Sequence, residues 1–539
     1  MRAPAIIVQR WGAGEHEMLG DKGSGYRNVE LAPGYTLSFG EVVALAGDHF
    51  ANIEQMRQFA ANIKGGPGSR AEIEYALHWK LKKPGRKWDE KAKQAQEARY
   101  YTLAGQNWSH FLNPSTADIE KDPAQRAGDA KKYVNAKYTI APEGASQAYR
   151  MNHVWAIKEA VESAQQKGSL DKALAVEAFG AHYLTDAFSA GHVRTPRAEA
   201  KAYWDAKVPM FVYNLTGYIA EAVAKNLGTW QKGVIPTDVT LRHDFPFGLG
   251  AYAQVHELLK TKRFTFGDVV GLALHDWDNA TGLKATSHGH DVQLLGDDRL
   301  VAVGNDAMPH AIKAVREGVA EIDQAFALGH KGQDLDTVLD SLLDQGLFAA
   351  ETWLPKPKSD PEQTADSKSI NWKFPDVFSL LDNDRFREAV KLFLKEKAGT
   401  LKEVAEGLAP DPRAAFENGV LKKLESDPIG TLTAVVQWVP SQTKSKPWEA
   451  ENAATYYHEA EKTKGGLVSL TLFQRLWLMN KLMFHRYGGQ RELLGILTSA
   501  SDSDARKLIR TLRWDRLHAK IDERAMPFKD RYPQKEYGQ

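Results

Sequence analysis

The sequence predicts a mainly α fold with one small β-hairpin element. Two observations carry that reading. Apolar residues recur at helical spacing in Met151 to Ala164, Lys172 to Phe188, Ala202 to Ala224, Pro309 to Leu328 and Asp376 to Lys395. Alternating runs of the kind strands need are few. The clearest is Val292 to Gly304 (VQLLGDDRLVAVG), which reads as a hairpin turning at Gly296-Asp297-Asp298.

The helical segments differ in kind. Lys172 to Phe188 is apolar on nearly every side, the pattern of a buried helix. Leu467 to Phe484 is the best candidate for a membrane span, but Arg475 and Lys481 interrupt it, so it reads as a core helix. Leu354 to Ile370 (LPKPKSDPEQTADSKSI) is rich in Pro, Ser, Lys and Asp and reads as a linker. The expected organisation is a catalytic domain over 1–350, a linker over 354–370 and a helical C-terminal domain over 371–539. Pro440 to Pro447 (PSQTKSKP) divides the C-terminal part again. That part carries no motif with readable chemistry. Trp477, Met479, Met483 and Phe484 fall at the spacing of a core face, and a protein partner for this region is one expectation.

Composition narrows the function. Of the 539 residues, 70 are Lys or Arg and 69 are Asp or Glu, so the chain has no basic excess for gripping a polynucleotide. Cysteine is absent, which excludes disulfides, thiolate metal sites and cysteine nucleophiles. Any metal must be held by nitrogen and oxygen, and 17 histidines are available. The segment Met1 to Arg10 has too short an apolar run for a signal peptide. The expectation is a cytoplasmic protein, or one exported without a cleaved signal, with no transmembrane helix. There is no G-x-S-x-G elbow, no G-x4-G-K-[ST] loop and no H-E-x-x-H.

The strongest chemical signal is Ala181 to Val193, AHYLTDAFSAGHV. His182 and Asp186 are four residues apart and share one helix face. Ser189-Ala190-Gly191 then weakens the helix, so that His192 can turn back toward the same cavity. Polar groups in an apolar helix are expensive unless they are paired or bind metal. An aspartate between two histidines can bridge two ions, as a multi-metal phosphodiesterase requires.

H-x3-D-x5-H resembles the central motif of the zinc-dependent phospholipase C and P1 nuclease superfamily. The likeness spans roughly residues 10–280. It extends to an N-terminal histidine, His16, after Trp11-Gly12-Ala13-Gly14-Glu15; to Asp48 in Ala44-Leu45-Ala46-Gly47-Asp48-His49; and to His110, whose His-Phe followed by Asn-Pro is similar to the family's His-Phe-Tyr-Asp-Pro. The resemblance implies a mainly helical zinc-dependent domain with two to three zinc ions. It implies that Asp48, His110, His182 and Asp186 hold one ion, that Asp186 bridges to a second at His16, and that His192 holds a third with a later histidine and acid. It also makes Asp48 the general base.

The family's later His-x3-acid pair has no direct counterpart. His330 and Asp334 read as a loop after a helix end, and His518 and Asp522 lie near the C-terminus. Leu274 to Asn279 (LHDWDN) is the substitute: His275 with Asp278 at i+3, Asn279 at i+4 and Asp276 as alternatives. The family's mature chain starts at a tryptophan that binds zinc through its own amine. Here Met1 precedes Trp11, so the His16 site is expected to lack those ligands or to recruit Glu15 or water. His49 stays open as a ligand. His288 and His290 (SHGHD) read as a solvated turn rather than a metal clip.

The function implied is zinc-dependent phosphodiester hydrolysis. The absence of a basic excess favours a phospholipid or membrane surface as substrate, with no stable nucleic-acid complex. A P1-like single-strand nuclease is the alternative. Two further rivals are a phosphohydrolase built on His275-Asp276 and a helical interaction protein that lacks the metals.

Overall fold

A computed structural model describes residues 12–83, 89–104, 107–112, 122–136, 140–208, 210–211, 214–215, 218, 265–296, 299–302, 304–358, 414, 417–437, 456–458, 460–462, 465–470, 474–475, 478–479, 482 and 490–512. Helices dominate them, as the apolar periodicity predicts. The chain divides into two units: Met1–Ala200 with Gly271–Ala389, and Lys201–Val270 with Val390–Gln539.

The first unit is built around α8 (Asp171–Asp186), which is buried from Ala173 to Asp186. Each fully buried Leu, Val or Phe there contributes roughly 1.5–3 kcal/mol. Against α8 pack α7 (Ala145–Gln165), α2 (Phe39–Leu45) and the long α12 (Ala307–His330), while α1 (Ala13–Ser24) packs between α2 and α12. Local signals start and stop these helices. A capping box joins Ser38 and Glu41 at the head of α2, and α1 ends at Gly25 with φ 71°. The segment between α2 and α7 holds α3 (Ile53–Ala61), α4 (Arg70–Leu81), α5 (Glu90–Ala104), a single 3-10 turn at Asn107–His110 and α6 (Pro123–Tyr133). After α8 come α9 (Ala190–Arg194), α10 (Arg197–Lys207) and α11 (Phe266–Thr281), and α13 (Leu335–Leu342) follows α12. His330 is the last residue of α12, and Asp334 caps α13 through the Thr337 amide at 2.8 Å. His330 thus closes the helix where a loop residue is expected, and Asp334 lies in the turn that leads into α13.

Strands are few. β1 (Asn28–Ala32) pairs with β2 (Tyr35–Ser38), and β3 (Leu283–Ser287) pairs antiparallel with β4 (His290–Leu294). The second hairpin corrects the expected one. It turns at His288 (φ 48°) and Gly289 (φ 78°), a two-residue turn with both central residues left-handed. Gly296 is not its turn: a Cβ there would lie 2.1 Å from Asn279, so this glycine permits a close approach to α11. His288 and His290 are exposed at the turn, as expected, with the His288 ring stacked on Trp353 at 4.2 Å. The head of the expected linker is also ordered. Lys356–Pro357 form β5 on the free side of β3. From 359 onward the linker lies outside the described residues, as do Asp376 to Lys395 and Pro440 to Pro447.

The second unit includes α14 (Lys422–Ser426), α15 (Pro428–Val436), α16 (Gln490–Thr498) and α17 (Asp502–Leu512). Its core contains Met210, Tyr456, Leu478, Met479, Leu493 and Ile509. Asn214 donates to Val436 O at 3.2 Å and accepts from Tyr456 Oη at 3.1 Å. The segment from Lys201 to Val270 thus groups with the C-terminal half, where the sequence reading kept it in a domain over 1–350. Helix α10 runs across Ala200 without a break, so no element boundary marks that change of partner. Arg475 is buried, and its guanidinium donates to the carbonyls of Leu470 (3.0 Å) and Ile496 (2.6 Å). Met479 is buried in this core, whereas Trp477, Met483 and Phe484 lie outside the described residues. Among the described residues, no helix is long and apolar enough to cross a membrane.

Candidate metal centre

Asp186 ends α8, and four imidazoles surround its carboxylate. Oδ1 lies 3.3 Å from His16 Nε2 and 3.3 Å from His192 Nδ1. Oδ2 lies 2.7 Å from His110 Nδ1 and 3.3 Å from His182 Nε2. The two ligand types come from four places in the chain: α1, the turn before Phe111, α8 and α9. His192 reaches the site because α8 stops at Asp186, turns through Ala187-Phe188-Ser189 and restarts as α9.

Two rings are oriented from behind. His182 Nδ1 faces the Val43 carbonyl at 2.9 Å. A carbonyl only accepts, so Nδ1 carries the hydrogen and Nε2 turns its lone pair toward the cluster. His16 Nδ1 is 2.8 Å from Thr185 Oγ1. That hydroxyl donates to the carbonyls of Ala181 and His182, both at 2.9 Å, so it accepts from His16 and leaves Nε2 facing Asp186. Polar partners of this kind fix the rings of metal-binding histidines.

The charges follow. Burial pushes the His182 pKa down to about 3, so the ring is neutral at pH 7 and able to ligate. Burial opposes charge on Asp186, but His182, His110 and His192 hold its carboxyl well below the usual range. Burial also acts against a charged His16, yet the hydrogen bond and charge of Asp186 raise its pKa overall. A metal at His16 would displace that proton.

Asp48 follows Gly47, whose φ is 68°. A Cβ on Gly47 would stand 2.7 Å from His182 Cδ2 and 2.9 Å from His110 Cε1. Only glycine leaves this room, and it brings the Asp48 carboxylate to the cluster. Burial raises the Asp48 pKa, but His110 and His182 outweigh it and lower it below the ordinary carboxylate value. His49 points away from this group. Gln96 Nε2 holds its Nδ1 at 2.7 Å, and its ring stacks on Tyr100 at 4.9 Å.

The third expected ligand set is met only in part. The rings of His192 and His275 are 4.9 Å apart, with Phe111 against both. Asp278 is not turned to them. Arg194 grips it, with Nη2–Oδ1 at 2.7 Å and Nε–Oδ2 at 2.9 Å. Position i+3 on α11 faces the end of α9, where Arg194 waits; i+4 faces His275. Asn279 is accordingly the neighbour of His275, with Nδ2 3.2 Å from Nε2. Its Oδ1 accepts from the Gly191 amide at 2.7 Å and so ties α9 to α11. A Cβ on Gly191 would come 2.5 Å from His275 Cδ2, which is why glycine stands there. The side chain of Asp276, like Trp11, lies outside the described residues. Glu15, a suggested extra ligand, accepts from the Leu300 amide at 2.9 Å.

The chemistry of the donors fits a cation. Two groups, His16 with His182 and Asp186, and Asp48 with His110 and His182, each bring ligand atoms within 4.8 Å of one another. They are nitrogen and oxygen donors, buried except for the half-buried Asp48. Asp186 Oδ2 is buried without a well-aligned hydrogen bond, its neighbours being the His110 and His182 nitrogens, and an incompletely satisfied oxygen in such a place costs on the order of 1–3 kcal/mol. The buried His/Asp cluster can therefore hold a metal ion. The sequence does not single out Thr185 or Arg194; each lies within two residues of a proposed ligand, which is the only signal they offer. Comparison of the chain with protein-family models, curated proteins and solved structures finds no match.

Proposed function

We propose that the protein is a zinc-dependent phosphodiester hydrolase, with a glycerophospholipid as substrate and diacylglycerol and a phosphorylated head group as products. Asp186 carries the proposal: one buried carboxylate with two imidazoles against each oxygen, one oxygen lacking a well-aligned hydrogen bond. On this reading Asp48, His110, His182 and Asp186 hold one zinc, His16 with Asp186 a second, and His192 with His275 a third. When bound, such ions polarise a phosphoryl group and acidify water.

The chain's own contribution is orientation and proton handling. Val43 O and Thr185 Oγ1 present His182 and His16 in fixed tautomers. Asp48 is ionised at neutral pH and half-buried at the edge of the cluster, which supports assigning to it the role of accepting a proton from an attacking water. The near-zero net charge favours a substrate with one phosphate over one with many.

A second reading, a single-strand nuclease, is favoured by one specific surface. Tyr75, His78, Trp79, Lys82, Glu90 and Lys93 line a pocket of about 300 Å³. Lys80 lies over the rings of Trp79 (4.3 Å) and Tyr100 (3.6 Å), and Tyr100 stacks on His49 beside Asp48. Aromatic rings with lysines suit stacked bases and phosphates. One zinc-loaded preparation assayed on phosphatidylcholine, phosphatidylethanolamine and single-stranded DNA and RNA separates the readings, with Asp48→Asn as background. Diacylglycerol release supports the first. Fast nucleic-acid cleavage without diacylglycerol moves the protein to the second. No hydrolysis of either overturns both.

A further inference from the structure

A second cluster of buried ionisable groups lies apart from the candidate metal centre, on the other side of α8. His153 on α7 is fully buried, with Glu177 of α8 and Glu321 of α12 on its two sides. Its Nδ1 is 2.7 Å from Glu177 Oε2, and its Nε2 is 3.3 Å from Glu321 Oε2. Tyr149 Oη, one turn earlier on α7, is 3.2 Å from Nδ1 and donates to Glu177 Oε1 at 3.1 Å. The Phe348 ring closes the edge at 4.6 Å. Glu351, whose charge also acts on Tyr149, is paired with Arg150 at 2.6 Å. The sequence leaves room for this group. A Cβ on Gly318 of α12 would stand 2.5 Å from Glu177 Oε1 and 2.6 Å from Tyr149 Oη.

Both ring nitrogens face carboxylate oxygens. With both glutamates ionised, a hydrogen on each nitrogen is what suits these contacts, and the ring is then an imidazolium; His153 Nε2 and Glu321 Oε2 have no other hydrogen-bond partner. We propose that His153 is a stored imidazolium that locks α7, α8 and α12 together and releases them when its proton is lost. Nothing in this lock touches the proposed metal ligands. Yet Glu177 is on the same helix as His182 and Asp186, about 7.5 Å from the first along the axis at ~1.5 Å per residue. The proton on His153 thus steadies the helix that carries the centre.

The electrostatics agree with the geometry. Burial opposes the charge on His153, but the charge and hydrogen bond of Glu177, then Glu321, lift its pKa to about 10. Burial pushes Glu321 above the usual carboxylate value even beside His153, and burial with the charge of Glu177 pushes Tyr149 well above the usual phenol range. A folded value above the unfolded one means stability that is complete below about pH 6.5 and is lost as pH rises through about 10. One proton is at stake, so within that window each pH unit changes the folding equilibrium by about tenfold.

The test is histidine-selective NMR on the full chain, with thermal unfolding followed over the same pH range. One ring is expected to keep imidazolium shifts at pH 8.5. In Glu177→Gln that ring should become neutral at least one pH unit lower, and the loss of stability between pH 7 and 9.5 should flatten. Glu321→Gln keeps the shape, removes the other charge, and should move the ring's titration the same way by less. If His153→Gln folds, the charged signal should vanish from it. The proposal is overturned if every ring that titrates in the wild type is neutral by pH 8, or if both glutamine variants leave the charged ring unmoved.

Discussion

His110 Nδ1 stands 2.7 Å from Asp186 Oδ2, and that oxygen accepts no aligned hydrogen bond. His182 Nε2 stands 3.3 Å from the same oxygen, so two imidazoles crowd one buried carboxylate atom. Nitrogen and oxygen donors gathered this closely suit side chains that converge on a cation. The arrangement depends on partners behind the ligands, and these give the sharpest tests.

Thr185 should matter through His16 alone. Thr185→Val keeps the volume and removes the oxygen that accepts from His16 Nδ1 at 2.8 Å. The expected result is a loss of about 10- to 100-fold in affinity for one ion, the usual effect of removing such a partner, with the others retained. Zinc titration against a competing chelator would measure it. Unchanged affinity for every ion would show that the Thr185 contact does not orient a ligand.

Asp278 should behave as a structural residue. Its carboxylate is fully buried and held by Arg194. Asp278→Asn is expected to destabilise the protein by about 3–5 kcal/mol, the range for breaking one side of a buried ion pair. Zinc stoichiometry should not change. Denaturant unfolding with metal analysis of the same sample checks both. Loss of one ion without loss of stability would restore Asp278 as a ligand.

The parts of the site that the sequence shows are those set by local geometry. His182 and Asp186 are four apart on one apolar helix, and no distant contact is needed to put them together. His16, Asp48 and His110 could be placed only through the family resemblance, because three separate elements carry them to α8. The i+3 and i+4 positions after His275 both looked usable, and what separates them is Arg194, far away in sequence. The hairpin was read about ten residues late because Gly296 looks like a turn in sequence, whereas it is a close packing point against Asn279. The His153 lock leaves no local pattern at all, since α7, α8 and α12 each supply ordinary residues to it.

Acid should destabilise the metal-free protein from near neutrality downward. Burial pushes the pKa values of His182 and His49 down to about 3, with Lys80 adding to the effect at His49. Depressed histidines contribute stability that is present above about pH 6.5 and lost as pH falls toward 3. Asp186 and Asp48, held below the carboxylate value of 3.8, add a further loss under that pH. The raised His16 does not offset this, because it binds its proton in the folded state too. With chelator present, unfolding free energy should fall by roughly 1.4 kcal/mol per pH unit for each depressed histidine. His49→Phe should remove about one proton from that slope. A flat profile between pH 6.5 and 4.5 would contradict the assignment.

The most direct measurement is zinc stoichiometry of the full chain, purified without chelators and equilibrated with zinc, in the wild type and in Asp186→Asn and His192→Ala. The account predicts two to three ions per wild-type chain. Asp186→Asn should lose more than one, because a neutral amide cannot bridge two cations, and His192→Ala should lose about one. A wild-type chain with less than one zinc would contradict the metal centre itself, and equal single losses in both variants would contradict the bridging role of Asp186.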